Sequence, residues 1–323
     1  MEYILLNDRL RIAVRPDLGG RIDQITDLET GKEWLWHPAW YKGGPRRLEV
    51  GASFDENWSG GWDEVFPNDA ACMFMGRSLP DHGELWSQPW HVVTASKTAM
   101  VVSYSCSTVP VSVEKGVFVE EEGIKIRYLL ENSSDEQLPF LFKLHPALQI
   151  EPGDEIVLPE CEIEPVDTGF STVIGMPGKT RFPVALDKNG KEVRVNHIPG
   201  RDADEQEFFY ATNVSEPWCG IRSARTGKIF LMRFDGEQIP YVWVFGSYGK
   251  WRKHYVLVLE PCTNVPYDLA AAHGNGTCAL LGPGERREMI IDISLEKITV
   301  PSVYNCPAIP VTRKGNVQVA KRQ

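Results

Sequence analysis

Long apolar runs are missing from this sequence. No stretch approaches the roughly 20 residues that a membrane-spanning helix needs. The opening MEYILLNDRLRIAV is interrupted by Asp8, Arg9 and Arg11 too soon for a secretory leader. No membrane partner is therefore expected. Basic charge is also scarce: 34 Lys and Arg stand against 44 Asp and Glu, for a formal net charge of -10, with no basic stripe. Such a chain repels polyanions, so nucleic acid is not an expected partner. The seven cysteines are scattered and include no CxxC pair. That usage favours free thiols in a reducing cytoplasm over a disulfide frame or a zinc knuckle. HxH and HExxH spacings are absent, as are a P-loop and GxGxxG. Neither a metal nor a nucleotide cofactor is expected. Helical periodicity is wanting too. No dozen residues hold a 3.6 repeat, and 23 prolines and 28 glycines would interrupt long helices.

What is present is a succession of short segments rich in Val, Ile, Tyr and Phe: RLRIAV, VVSYSC, GVFVE, IKIRYLLE, IFLMRF, YVWVFG, YVLVLE and EMIIDISL. Turn signals such as LETGKE, EEEGIK, DKNGKE, RTGKIF and HGNGT separate them. The pattern predicts an all-β chain of many antiparallel strands forming a large sandwich. No Gly/Ser linker or shift in composition divides it, so residues 1–300 are expected to form one domain. Residues 301–323, PSVYNCPAIPVTRKGNVQVAKRQ, lack a strand rhythm and are expected to form a loosely packed or disordered tail.

Three regions concentrate chemistry. GGWDEVFPNDAA (60–71) runs towards LPDHGELWSQPW (79–90). Together they place Asp63, Glu64, Asp69, Asp81, His82 and Glu84 among Trp62, Phe66, Trp86 and Trp90. Aromatic faces beside carboxylates suit a sugar, whose C–H face stacks while its hydroxyls need acceptors and donors. The alternative is that the tryptophans cover a core edge and His82 is incidental. FLFKLHPALQI (140–150) is an apolar strand interrupted by Lys143 and His145; a lone histidine there is more often structural. In YVLVLEPCTNVPYDL (255–269) a very apolar strand ends at Glu260, before Pro261. A carboxylate closing a buried strand must be paired, hydrogen-bonded or protonated, and such burial can tune it as a base. A polar strand end is the plain alternative.

Taken in order, these segments resemble the aldose 1-epimerase, or galactose mutarotase-like, family from about residue 3 to 296. DLGGRIDQITDLETGKEWLW is similar to its opening strands, DHGELWSQPW to its first-histidine segment, and LHPAL to its second. LEPCTNVPYDL is similar to its Glu-Pro segment, and LLGPGERREMIIDISL to its closing strand pair. The resemblance implies a galactose mutarotase-like β-supersandwich of antiparallel strands that interconverts the anomers of an aldose without a cofactor. It implies Glu260 as general base, His145 as general acid and His82 as a positioning group near the ring oxygen. Substrate contacts are expected from Arg21, Glu64, Arg77, Asp81, Trp86, Asp235 and Trp243. The chain departs from the family where Asp81 precedes His82 and Ala147 follows the His145–Pro146 pair, and Asp235 is placed by position alone. The sugar is thus left open, free or phosphorylated, as is the oligomeric state. Two other functions stay in view. One is a non-catalytic sugar-binding protein on the same fold. The other is a glycosidase or lyase, a glycosidase pairing Glu260 with Asp63, Glu64 or Glu84.

Overall fold

The computed structural model describes residues 1–43 and 48–297. The tail expected at 301–323 lies outside the described residues. Two large antiparallel sheets carry the fold. Across the 11-stranded sheet the order is Tyr3–Leu6, Leu10–Arg15, Arg21–Asp27, Trp62–Val65, Lys143–Leu148, Tyr255–Cys262, Tyr241–Tyr248, Glu205–Thr212, Glu162–Pro165 and Thr180–Arg181, with Lys32–Glu33 beside Arg21–Asp27. The 8-stranded sheet runs from Glu155–Val157 through Trp218–Arg222, Lys228–Arg233, Arg286–Lys297, Gly123–Asn132, Val111–Val119 and Ala99–Ser105 to His91–Ala95. The α-helices among the described residues, Phe54–Asn57 and Leu269–Asn275, are short. None is long and apolar enough to cross a membrane.

Alternation along the strands places the core between the sheets. Ile124, Ile126, Tyr128 and Leu130 are buried, while Lys125, Arg127 and Leu129 between them are only half-buried. Fully burying such aliphatic side chains contributes about 1.5–3 kcal/mol each. They join Ile12, Ile22, Ile25 and Leu144 of the larger sheet in one apolar cluster. Three polar groups meet across this core: Lys115 Nζ donates to Glu64 Oε1 at 2.6 Å, and the Tyr128 hydroxyl donates to the same oxygen at 2.6 Å. This arrangement fixes the sidedness of the Trp62–Val65 strand. Glu64 faces the smaller sheet, and its neighbour Asp63 faces the opposite side.

The eight segments expected as strands all fall on strands. One expected boundary moves. The strand carrying Glu260 continues through Pro261 to Cys262. Pro261 offers no N–H, and the hydrogen-bonded pairing with Lys143–Leu148 is interrupted between the Lys143/Cys262 and Ala147/Val258 pairs. The break therefore falls beside His145 and Glu260, where backbone pairing gives way and side chains line a cleft.

Candidate active site

One cross-strand row organises the site. On the Lys143–Leu148 strand, His145 stands opposite Asp63. The register that pairs Lys143 with Cys262 and Ala147 with Val258 sets His145 opposite Glu260. Glu260 stands opposite Trp243, and Trp243 opposite Tyr210. Residues directly opposite on one face have Cβ atoms about 5 Å apart. Four neighbouring strands thus bring Asp63, His145, Glu260 and Trp243 together on the face turned away from the smaller sheet. Lys143, two residues before His145, shares that face and reaches Glu260 diagonally.

A cleft of about 280 Å³ opens over this row, near the lower end of the range for small-molecule sites. Its polar lining is Asp55, Asp69, His82, Lys143, His145 and Glu260; its aromatic wall includes Phe54, Trp58, Phe170, Phe245 and Trp251. Lys143 Nζ lies 2.6 Å from Asp69 Oδ1 and 2.7 Å from Glu260 Oε2. Lys143 thus bridges the two carboxylates. Burial opposes the Lys143 charge, yet Asp69 and Glu260 outweigh it and hold the ammonium above its usual range. The ammonium also lies 4.4 Å from the centre of the Trp243 ring. Burial pushes the Glu260 carboxyl up, and Lys143 draws part of that shift back. A raised carboxyl next to a cation suits a group that must take up and return a proton near neutrality.

The histidines differ in setting. His145 is buried, with Phe54 and Trp58 ring centroids at 5.2 and 5.4 Å in edge-on contact, and its Nδ1 has no hydrogen-bond partner among the described residues. Burial first, then the Lys143 ammonium and His82, hold its imidazole well below the usual pKa, so it is neutral. His82 stacks on Phe54 at 4.0 Å. Its Nδ1 is 2.9 Å from Asp81 Oδ1, and its Nε2 lies 3.8 Å from Asp69 Oδ1. The His82 contact holds the Asp81 carboxyl below its usual range. An ionised carboxylate only accepts, so Nδ1 carries the hydrogen and Nε2 is left to exchange a proton towards the cleft.

The loop holding His82 is fixed by its backbone. His82 has φ +57°, a conformation that L-residues adopt rarely and that surrounding contacts must enforce. Its N–H donates to the Asp69 carbonyl at 2.6 Å, and the Glu84 N–H donates to the Phe66 carbonyl at 3.0 Å. Gly83, at φ +64°, passes so close that a Cβ would sit 1.9 Å from the Phe66 oxygen. The Glu84 carboxylate accepts from the N–H and hydroxyl groups of Ser107 and Thr108 and from the Tyr104 hydroxyl.

His82, His145 and Glu260 line one cleft. Asp81 stands behind His82, and Trp243 lies buried beneath Lys143 with its Nε1 donating to the Asn264 carbonyl at 2.9 Å. Arg21 and Trp86 line a neighbouring cavity. Three expected substrate contacts lie elsewhere. Glu64 is turned into the core because adjacent strand residues face opposite ways. Arg77 pairs with Glu136 at 3.4 Å on a surface hairpin. Asp235 is exposed and closes its own turn by accepting from the Glu237 N–H. Asp69 and Lys143 are the functional candidates without an expected role. The available signal for Lys143 was its spacing, two residues before His145 on an otherwise apolar strand.

No family model matches the sequence, and no curated protein matches it. The fold does match solved structures. A protein from Synechocystis sp. PCC 6803 aligns with TM-score 0.68 and 16% identity, covering 92% of this chain and 96% of the other. A galactose mutarotase-like protein from Lactobacillus casei ATCC 334 aligns with TM-score 0.65 and 12% identity, covering 92% and 100%. A galactose mutarotase related enzyme from Lactobacillus acidophilus aligns with TM-score 0.64 and 14% identity, covering 92% and 97%. The chain thus has the galactose mutarotase-like fold, an antiparallel β-supersandwich.

Proposed function

We propose that the protein is an aldose 1-epimerase. The observation that carries the reading is the placement of a buried, upward-shifted Glu260 opposite His145 and across the cleft from His82, in an aromatic-walled cavity on this fold. Glu260 takes the proton of the anomeric hydroxyl. As the C1–O1 carbonyl forms, the bond from C1 to the ring oxygen breaks and that oxygen receives a proton. Rotation about C1–C2 and reclosure by the reverse transfers give the other anomer, with both groups restored. The neutral state of His145 speaks against its expected role as proton donor. We assign the donor role to His82, oriented by Asp81, and leave His145 to hydrogen-bond the sugar. No step calls for a cofactor.

The test is anomer exchange, followed by NMR on freshly dissolved aldoses and aldose 6-phosphates. Wild type is expected to accelerate exchange for at least one sugar. Glu260→Gln, nearly isosteric, is expected to lower kcat by about 100-fold or more. His82→Asn should chiefly lower kcat, whereas His145→Asn should chiefly raise KM. Binding without acceleration across the panel would refute the enzyme and leave a sugar-binding protein.

A further inference from the structure

Glu207 is a carboxylate where the fold asks for an apolar side chain. On the Glu205–Thr212 strand, Phe208 and Tyr210 stand opposite Phe245 and Trp243 on the cleft face. Period-two alternation turns Glu207 and Phe209 the other way, towards the core between the sheets. Glu207 is 4% exposed, and one short segment of chain holds its carboxylate. Oε1 accepts from the N–H groups of Thr172 and Val173 at 3.0 and 2.6 Å and from the Thr172 hydroxyl at 3.2 Å. Oε2 accepts from the Ile174 N–H at 3.2 Å. Successive N–H groups turned to one side make a concavity for an anion, and here the anion is the protein's own.

That segment fills a gap in the sheet. Tyr241–Tyr248 pairs along one edge of the Glu205–Thr212 strand, but Glu162–Pro165 covers only Phe209–Thr212 of the other. The chain after Pro165 takes the uncovered part without forming a strand. The Val166 N–H donates to the Phe208 carbonyl, the Thr172 N–H to the Gln206 carbonyl, and Gln206 Nε2 to the Phe170 carbonyl. In doing so it passes from one face of the sheet to the other. Phe170 lines the cleft, 5.8 Å from the Phe245 ring and 6.4 Å from that of Phe208. Ile174, 2% exposed, sits in the apolar core. Glu207 anchors the turn between them.

We propose that Glu207 is a positioning residue for the sugar site: its carboxylate hooks residues 170–174 round the strand edge and so fixes Phe170 as a stacking wall. The proposal rests on the sugar reading of the cleft. Glu207 touches no substrate and acts through Phe170. An aromatic wall stacks on the C–H face of a ring only when it is held in the right plane, so the anchor decides what the wall contributes. Glutamine cannot replace that anchor, because its amide keeps one acceptor and turns a donor towards donors.

The experiment is a double-mutant cycle on affinity. Glucose, galactose and glucose 6-phosphate are titrated into the Glu260→Gln protein, where binding is read without turnover. Phe170→Ala is expected to weaken binding about fivefold, the size of one aromatic contact. Glu207→Gln should weaken it by as much or less, and should add nothing once Phe170 is alanine. With Glu260 intact, Glu207→Gln should raise KM in the same proportion and lower kcat far less. Amide hydrogen exchange should quicken over residues 170–174 while Tyr241–Tyr248 keeps its protection. Thr172→Val, at an exposed side chain, deletes one donor to Glu207 and should act in the same direction with the fold intact. Unchanged affinity in both Glu207→Gln and Thr172→Val, or additive losses in the double variant, would overturn the positioning role. Binding without anomer exchange would refute the epimerase and leave that role standing. Exchange with an unmoved KM in Glu207→Gln would do the reverse, and binding of none of the three sugars would overturn both.

Discussion

Lys143→Met tests the charge arrangement beneath the cleft. Methionine keeps most of the side-chain length and its packing over Trp243, but removes the cation held between Asp69 and Glu260. Breaking a buried ion pair by deleting one partner costs about 3–5 kcal/mol, since the remaining charge stays buried. For a chain of 323 residues, an unfolding entropy of about 2.1 cal/mol/K per residue converts that to a fall in Tm of about 4–7 °C. The loss must depend on pH. Burial already raises the Glu260 carboxyl above its unfolded value, and Lys143 is the strongest force against that rise. Without the lysine the folded pKa climbs further. A carboxyl raised in the folded state contributes stability that is full below its unfolded pKa and is lost as pH rises through the folded one. The Tm deficit is therefore expected to be small near about pH 4.5 and largest near about pH 8.

Catalysis should move the same way. Glu260 acts as a base only when ionised, so the acidic limb of kcat/KM shifts to higher pH and activity recovers in alkaline buffer. Thermal unfolding and NMR anomer exchange across this range measure both effects. A Tm loss that is uniform with pH would mean that packing, not charge, is what the lysine supplies. An unmoved acidic limb would refute Glu260 as a base tuned by Lys143.

Glu84 should show the opposite sign. Burial opposes its ionisation, but the bonds from Ser107 and Thr108 outweigh burial and hold its pKa below the usual value. Its stabilisation is present above the unfolded pKa and lost as pH falls through the folded one. Glu84→Gln sets an amide donor against those donors and is expected to cost about 3 kcal/mol at neutral pH, less below about pH 4, by urea unfolding. Equal cost at both pH values would refute the ionised tether. Gly83→Ala should displace the His82 loop, because its Cβ would meet the Phe66 oxygen at 1.9 Å. Misplacing a catalytic group by about 1 Å can cost about 100-fold, so kcat for anomer exchange should fall by that order while the far-UV spectrum stays that of wild type. Unchanged kcat would show that the loop geometry does not serve the reaction.

Residue types revealed the strands, but not which way each residue points within a strand. YVLVLE and IKIRYLLE declare themselves by composition, and the Gly-rich turns punctuate them. Which of Asp63 and Glu64 faces the sugar side is a matter of one position. Strands buried on both faces lack the apolar–polar alternation that would reveal it: Trp62–Val65 and Lys143–Leu148 are buried throughout. Sequence reasoning accordingly chose Glu64, which the core holds through Lys115 and Tyr128, and gave no contact to Asp63, which borders the cavity. The same blindness hid Lys143. Once His145 faces the cleft, period-two alternation puts Lys143 there as well, and a buried lysine on that face must find carboxylates; Asp69 and Glu260 are those partners. Arg77 and Asp235 failed for another reason. Nothing local shows that a hairpin arginine pairs with Glu136, or that an aspartate spends its oxygens on its own turn. His82 was legible because a histidine beside glycine, ahead of an acid and two tryptophans, is odd for a surface turn. Its left-handed backbone and its Asp81 contact give that oddity a physical cause: the loop is held so that Nε2 faces Asp69 and the cleft.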